Sequence, residues 1–348
     1  AMLSPSGLAM SLNEFPPSRR AFALGVWGTI GALTGLCGSP IAAGMIELFN
    51  WQAIFILTGG FSLLILLAGF VVLSDEQEGN NQLPIDWVSA IIAVMAVGGL
   101  TLFLVQGQEW GFSSPVTLLC LCISIISTPL LARRNRTQRH PLFPPAIFSQ
   151  RSFTIGAAGS ALCQVGFFSI YFGLPLYMRE VWSWSPLKIG FALIPLNVVP
   201  LLTAAVAGKI VDRQGPRPMV IFGGIWSGVS FLIIGFFLME AGYILFALGL
   251  LVSGLGAMAI GNNTTIATLL DIEDGLLASA SSASYTARRL GSALGAVLTA
   301  SIVGNRLGSD FKDVYIWVWI LGAGAYLLGS LITYLYYPRR NEQGLSNV

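Results

Sequence analysis

An all-α protein with many membrane-spanning helices is predicted by the composition and the hydropathy pattern of this sequence. Of its 348 residues, 55% are apolar and only 10% are charged, whereas a soluble domain carries about 25% charged residues. The mean hydropathy is +0.75. The apolar residues form runs of about 20, the length that a helix needs to cross a bilayer. Barrel strands would show alternating segments of about ten residues, which this chain lacks.

The first apolar stretch, residues 1–12, is too short to span a membrane and has no basic residues before it. We expect it to be the end of a helix that begins before Ala1, so that the chain is truncated at its N-terminus. Ten complete spans are predicted after it, with approximate limits 21–46, 51–73, 87–106, 114–132, 153–178, 187–208, 219–239, 243–269, 284–305 and 314–337.

The positions of Lys and Arg in alternate loops predict the orientation of these spans. One set of loops holds 14 of them: Arg19, Arg20, Arg133, Arg134, Arg136, Arg139, Arg151, Lys209, Arg213, Arg217, Arg288, Arg289, Arg339 and Arg340. The other set holds 4: Arg179, Lys188, Arg306 and Lys312. Because short cytoplasmic loops are rich in positive charge, we expect the first set and the C-terminus to lie in the cytoplasm.

Catalytic and metal-binding patterns are missing from the sequence. Cys37, Cys120, Cys122 and Cys163 fall inside apolar runs, where a packing role is expected, and His140 is the only histidine. No nucleophile–base set, zinc-type spacing or phosphate-binding loop occurs. We therefore expect no enzyme, no cofactor, no metal site and no nucleic-acid partner.

The charged turn at residues 208–218 interrupts two long apolar runs with four charges and two prolines. A span is expected to end at Gly208 and the next to begin near Pro218, since proline suits the first turn of a helix. The turn resembles the loop signature of the major facilitator superfamily, G-x-x-x-D-R-x-G-x-R. The matching residues are Gly208, Asp212, Arg213, Gly215 and Arg217. The resemblance implies a latch that holds helices in one conformation; the alternative is a positive anchor that only fixes topology.

A second motif lies in the first complete span, at residues 35–44. It resembles the antiporter motif of the same superfamily, G-x-x-x-G-P-x-x-G-G. Gly35, Pro40 and Gly44 match, while Ser39 and Ala43 replace glycines with other small residues. Pro40 removes a backbone hydrogen bond and is expected to kink the helix, and the small face allows close packing. The alternative is a generic packing face.

Three further stretches resemble the fourteen-span drug:proton antiporters of the superfamily: residues 1–5, residues 15–20, and the segment with Arg288 and Gly291, which matches their thirteenth helix. This resemblance implies that the predicted spans are helices five to fourteen of that family. It also implies five segments. They are residues 1–73, the remnant of an N-terminal bundle of helices; 74–132, an extra central pair of helices; 133–151, a basic cytoplasmic linker; 152–338, a complete six-helix bundle; and 339–348, a cytoplasmic tail.

Proton coupling requires an ionisable group deep in the membrane, and none is apparent here. Glu47, Asp86, Glu109, Glu240 and Asp271 all lie at predicted span ends, where solvation at the interface is expected. In the family the coupling acid and a key arginine belong to the first four helices. The polar and aromatic residues predicted to line a substrate cavity, with bundle packing as the alternative, are Gln164, Phe167, Tyr171 and Asn197.

The expected function is proton-driven efflux of small amphiphilic compounds by alternating access, across the inner membrane of a bacterium. The proton gradient replaces any cofactor, and the partners are the bilayer, the substrate, protons and, in some such systems, a periplasmic adaptor. The alternative is a facilitator or symporter of the same fold that carries a metabolite. A membrane enzyme or a scaffold finds no support in the sequence.

Overall fold

The computed structural model describes residues 20–72, 86–138, 141–261, 263–304 and 311–338, which are almost entirely helical. In chain order the α-helices are α1 (Arg20–Leu48), α2 (Gln52–Val72), α3 (Trp87–Trp110), α4 (Pro115–Thr137), α5 (Pro145–Ser149), α6 (Arg151–Glu180), α7 (Pro186–Ala192), α8 (Ile194–Gln214), α9 (Pro216–Ile233), α10 (Tyr243–Ile260), α11 (Asn263–Leu269), α12 (Leu277–Gly304) and α13 (Phe311–Tyr336). A π-helical turn, Ile234–Leu238, extends α9. The predicted partial helix at residues 1–12 lies outside the described residues.

Helices coincide with all ten predicted spans, so the predicted fold class is confirmed. Within the described ranges, nine segments are long and apolar enough to cross a membrane. The predicted span that is not among these nine, 284–305, corresponds to α12, whose first half is rich in serine and holds Arg288 and Arg289. The chain is therefore a multi-pass membrane protein.

The predicted span 187–208 differs from the structure at both its middle and its end. Two helices, α7 and α8, occupy it, and they meet at Leu193. The break has a local cause, because Pro195 has no N–H to donate to the Phe191 carbonyl and its ring would clash with that carbonyl in a continuous helix. Helix α8 then continues to Gln214, six residues beyond the expected end at Gly208.

The segment 208–218 is thus almost wholly helical, so the expected end of the span at Gly208 was wrong, whereas the next helix begins at Pro216, close to the expected Pro218. Charged residues such as Lys209 and Arg213 are good helix formers, so a helix can leave the apolar region without ending. The chain reverses at Gly215, whose φ of +79° suits a residue without a Cβ. Pro216 follows as the first residue of α9, where its missing N–H costs nothing.

Helix α6 lies at the centre of the second half of the chain and packs along α12, α13 and α11. Small residues permit backbone contact at these crossings. A Cβ built on Gly156 would lie 2.9 Å from the Cα of Thr268, and one on Gly166 would lie 2.8 Å from the carbonyl oxygen of Gly322. Membrane helices associate through such close packing, because lipid supplies no hydrophobic drive between them.

Buried aromatic side chains fill one end of this group of helices. Tyr177, Phe246, Tyr315 and Trp319 are almost fully buried, and neighbouring rings meet edge to face or stacked. The Tyr177 hydroxyl donates to the carbonyl oxygen of Met239 at 3.1 Å. A buried tyrosine normally finds such a partner, so this end is both apolar and internally hydrogen-bonded.

Helices α3 and α4 form a pair that is joined at one end by charge. Asp86 caps α3 by accepting from the Ser89 N–H at 3.1 Å, and its carboxylate also binds the Arg134 guanidinium at 2.9 Å. Within the pair, the Ser124 hydroxyl donates to the Ala96 carbonyl oxygen at 2.6 Å. This pair packs mainly on itself and touches α12.

Candidate functional site

The small-residue segment of α1, residues 35–44, lies against α7 and α8. Backbone meets backbone at Gly190 of α7. A Cβ built there would lie 2.6 Å from the Cβ of Ala43 and 2.8 Å from the carbonyl oxygen of Ser39. Real Cβ atoms do not approach other atoms this closely, so the contact requires glycine at this position.

A polar contact joins the same segment to α6. The hydroxyls of Ser39 and Tyr171 lie 3.2 Å apart, and either one can donate. The Tyr171 ring stacks on Phe167, with centroids 5.4 Å apart. Gln164 precedes Phe167 by one helical turn and is partly buried. The structure therefore places Tyr171, with Phe167 stacked on it, beside the predicted motif.

Asn197 of α8 meets the start of the segment. A Cβ built on Gly35 would lie 2.9 Å from the Asn197 Oδ1 atom. The Asn197 amide nitrogen donates to the Leu193 carbonyl oxygen at 3.4 Å, at the junction of α7 and α8. The amide thus lies at the crossing of α1 and α8.

Helix α1 continues from Arg20 to Leu48 with Pro40 inside it. Pro40 itself lies at the close contact, because a Cβ built on Gly190 would be 3.2 Å from the Pro40 Cα atom. Gly44 is packed less tightly than this, because a Cβ built on it would meet only the Leu187 Cδ1 atom, at 3.8 Å. The tightest part of the segment is therefore its middle.

A carboxylate ties the end of α1 to the beginning of α7. The Glu47 Oε2 atom accepts from the Leu187 backbone N–H at 3.0 Å. Leu187 is in the first turn of α7, where N–H groups have no partner within the helix. The expectation of simple solvation at Glu47 was therefore incomplete. A single carboxylate near a span end gave no sequence signal for this contact.

The second predicted motif sits where α8 turns into α9. Gly208 lies inside α8 with open space around its Cα, and Gly215 forms the turn. The Arg217 Nη2 atom donates to the Tyr334 carbonyl oxygen of α13 at 2.7 Å, and the guanidinium lies 5.8 Å from the Tyr334 ring centroid. Arg213 is exposed, and the Asp212 side chain is outside the described part of the structure.

Arg288 and Gly291 lie inside α12. The prediction that Arg288 and Arg289 belong to a loop is therefore wrong. Gly291 packs directly against the carbonyl oxygen of Ala161 in α6. The Arg288 Nη1 atom donates to the Thr265 hydroxyl of α11 at 2.5 Å. Helix α12 begins at Leu277, before the predicted span 284–305. The serines and alanines of its first turns form helix, but they are not apolar enough to be recognised as part of a membrane span.

The acidic residues singled out in the sequence all lie at or beyond helix ends. Glu47 and Glu109 are each the last residue but one of their helices, Asp86 precedes α3, and Glu240 and Asp271 follow helical segments. Among the residues described, no group of three or more His, Cys, Asp or Glu side chains could hold a metal ion.

Comparison with known proteins yields a family model and several relatives. The model described as "Major Facilitator Superfamily" matches residues 1–168 and 156–347. The "Tetracenomycin C resistance and export protein" of Streptomyces glaucescens is 25% identical over 315 residues, which is 90% of this chain and 58% of that protein. The "Multidrug export protein EmrB" of Escherichia coli K12 is 26% identical over 309 residues, 87% of this chain and 60% of that protein.

The "Multidrug efflux pump LfrA" of Mycolicibacterium smegmatis is 24% identical over 310 residues, again 87% of this chain and 60% of that protein. The chain thus spans about 60% of the length of each relative.

Proposed function

The chain belongs to the major facilitator superfamily, and from this premise we propose that it exports small amphiphilic compounds by alternating access. In such transporters two groups of helices rock against each other around a binding site near the middle of the membrane. The contact between them must be close enough to seal and weak enough to separate. The function is transport and not enzymatic catalysis.

The contact of α1 with α7 and α8 is the observation that carries this proposal. At Gly190 the helices meet through backbone atoms and small side chains, so they can separate without large side chains having to disengage. A capping carboxylate joins α1 to α7 across this contact, and a hydroxyl pair joins the same segment of α1 to α6. Hydrogen bonds between membrane helices contribute about 1 kcal/mol or less each, so both can break and form again during a cycle.

The nature of the exported compound is inferred from the relatives. Their names describe a tetracenomycin exporter and multidrug exporters. We extend drug export to this chain because the Phe167–Tyr171 stack offers an aromatic surface beside the α1 contact. Flat aromatic compounds can stack on such rings.

The energy source in this proposal is the proton gradient, with no cofactor. The protein lies in a bacterial inner membrane with its C-terminus in the cytoplasm, because the basic loops then face the cytoplasm. A periplasmic adaptor is a further proposed partner. Glu47, which joins α1 to α7, then faces the periplasm.

Everted membrane vesicles from cells that express the protein provide the test. Acidification of the vesicle interior by respiration is expected to drive uptake of ethidium, measured by fluorescence, above the level of vesicles without the protein. A protonophore is expected to abolish the difference. Uptake that survives the protonophore would contradict proton antiport, and equal uptake in both vesicle types would contradict export.

A further inference from the structure

Arg288 is a charged residue well inside a long helix. It is the twelfth residue of the 28-residue α12, about 16 Å from its beginning at 1.5 Å per residue. It is partly buried, between α12 and Thr265 of α11. Charged side chains at such positions are rare, and they face the interior of a bundle or a water-filled cavity.

The partners of Arg288 do not neutralise its charge. Its Nη1 atom donates to the Thr265 hydroxyl at 2.5 Å, and its guanidinium lies 5.8 Å from the Tyr285 ring centroid. Both are uncharged groups. In the part of the chain that the structure describes, no carboxylate forms an ion pair with it, and the neighbouring Arg289 adds a second positive charge.

Two hydroxyls, one in contact with the guanidinium and one on the same face of α12, still have protons to donate. Thr265 accepts from Arg288 with its oxygen, so its own proton remains available to a further acceptor. The Ser284 Oγ atom is buried and has no hydrogen-bond partner. Ser284 precedes Arg288 by four residues, so both lie on the same face of α12.

The guanidinium and the two hydroxyls can all donate, and among the described residues no negative group accepts from them. A partly desolvated cation without a counter-charge is costly, and so is a buried hydroxyl without a partner. An oxyanion would satisfy all three at once, since a carboxylate offers two oxygens with about four acceptor sites.

We propose that Arg288, Thr265 and Ser284 bind the carboxylate of an amphiphilic substrate. This inference rests on the proposed export function and adds a substrate class to it: aromatic or aliphatic compounds that carry an anionic head. Arg288 supplies the charge, and the two hydroxyls orient the oxygens. A cationic amphiphile such as ethidium gains nothing from these three groups and relies on the Phe167–Tyr171 aromatic surface instead.

Fluorescence titration of the purified transporter in detergent tests the proposal with three dansyl probes. They are dansylglycine, which carries a carboxylate; dansylamide, which is neutral; and dansylcadaverine, which is a cation. Hydrogen bonds to a charged group correspond to about tenfold or more in affinity. The unmodified protein is expected to bind dansylglycine at least about tenfold more tightly than either of the other probes, whereas equal affinities would overturn the proposal.

Arg288→Gln is expected to abolish the preference for dansylglycine while changing the affinity for dansylamide less than about twofold. The matched control is Arg289→Gln, because Arg289 is the adjacent, exposed arginine on the same helix. It is expected to retain the preference. An equal loss of affinity for all three probes in Arg288→Gln would indicate a purely structural role and overturn the proposal.

Thr265→Val keeps the shape of its side chain and removes only the hydroxyl, so it provides a second variant if Arg288→Gln fails to insert. It is expected to weaken dansylglycine binding about fivefold and to leave dansylamide binding unchanged; an unchanged dansylglycine affinity would contradict the proposal. The probe titrations do not depend on transport. Loss of export with the dansylglycine preference intact would therefore contradict the proposed function and leave the anion site standing.

Discussion

Gly190 leaves no room for a side chain because α1 lies directly against its Cα atom. An added Cβ would meet the Ala43 Cβ and the Ser39 carbonyl oxygen within 3 Å. Gly35 differs, because the atom facing it is the end of the Asn197 side chain, which can move away. The two glycines should therefore tolerate a methyl group very differently.

Gly190→Ala is expected to destabilise the protein by about 1–3 kcal/mol through overpacking and to reduce export strongly. Gly35→Ala should cost less than about 1 kcal/mol, since the Asn197 amide can rotate. Thermal unfolding in detergent and ethidium efflux measure the two effects. Gly38→Ala is the control, because a Cβ on Gly38 meets nothing within 4 Å; a Gly190→Ala variant that behaves like this control would contradict the packing argument.

The Asp86–Arg134 pair predicts a dependence of stability on pH. Hydrogen bonds from the Arg134 guanidinium, followed by those from Ser89, hold the pKa of the Asp86 carboxyl well below its usual range. A carboxyl whose pKa is lower in the folded state contributes stability above its unfolded pKa of about 3.9, and this contribution is lost as the pH falls toward the folded value.

Asp86→Asn is therefore expected to lower the Tm at pH 7, and the difference from the unmodified protein should shrink as the pH is lowered from about 5 toward 3. Intrinsic fluorescence during heating in detergent measures both. Arg133→Gln, which removes an exposed arginine next to Arg134, should leave the Tm unchanged. A difference of the same size at every pH would show that the charge of Asp86 is not the cause.

At the scale of elements, the α8–α9 turn is joined to the end of α13. The Tyr334 carbonyl belongs to the last turn of α13, where carbonyl groups have no partner within the helix. Arg217 supplies that partner at 2.7 Å and brings a positive charge to the negative end of the helix dipole. The turn thus fastens three helices at one end of the bundle.

Arg217→Gln is expected to weaken the contact between the α8–α9 turn and α13. The rate of ethidium efflux should then change about fivefold, because about 1 kcal/mol changes the ratio of two states by that factor. Arg217→Lys keeps the charge and should retain much of the rate. The control is Lys209→Gln, which removes an exposed charge from α8 of the same motif. If all three variants exported ethidium as fast as the unmodified protein, the turn would have no role in transport and would only fix the topology of the chain.

Sequence patterns predicted helices better than they predicted where helices stop. Apolar runs located every long helix, because the bilayer imposes length and composition together. The break at Leu193 and the extension of α8 to Gln214 were missed, since hydropathy records neither the local effect of Pro195 nor the ability of charged residues to stay helical outside the apolar region.

At the scale of the whole molecule, the α1 motif was visible in the sequence but its partner was not. Residues 35–44 follow a recognisable spacing, whereas Gly190 and Glu47 follow none. Their importance depends on which helices become neighbours, and a single sequence does not record that. The residue roles and the division into five segments remain predictions.

The central claim is that α1 separates from α7 and α8 during transport. Distance measurements by electron paramagnetic resonance between nitroxide labels at Leu48 and Phe191 test it most directly, because both side chains are exposed on the two helices concerned. The labelled protein must still export ethidium. In proteoliposomes we expect two populations, one with a short and one with a longer distance between the labels, whose ratio shifts with ethidium and with pH. One unchanged distance under all of these conditions, in a protein that still transports, would contradict it.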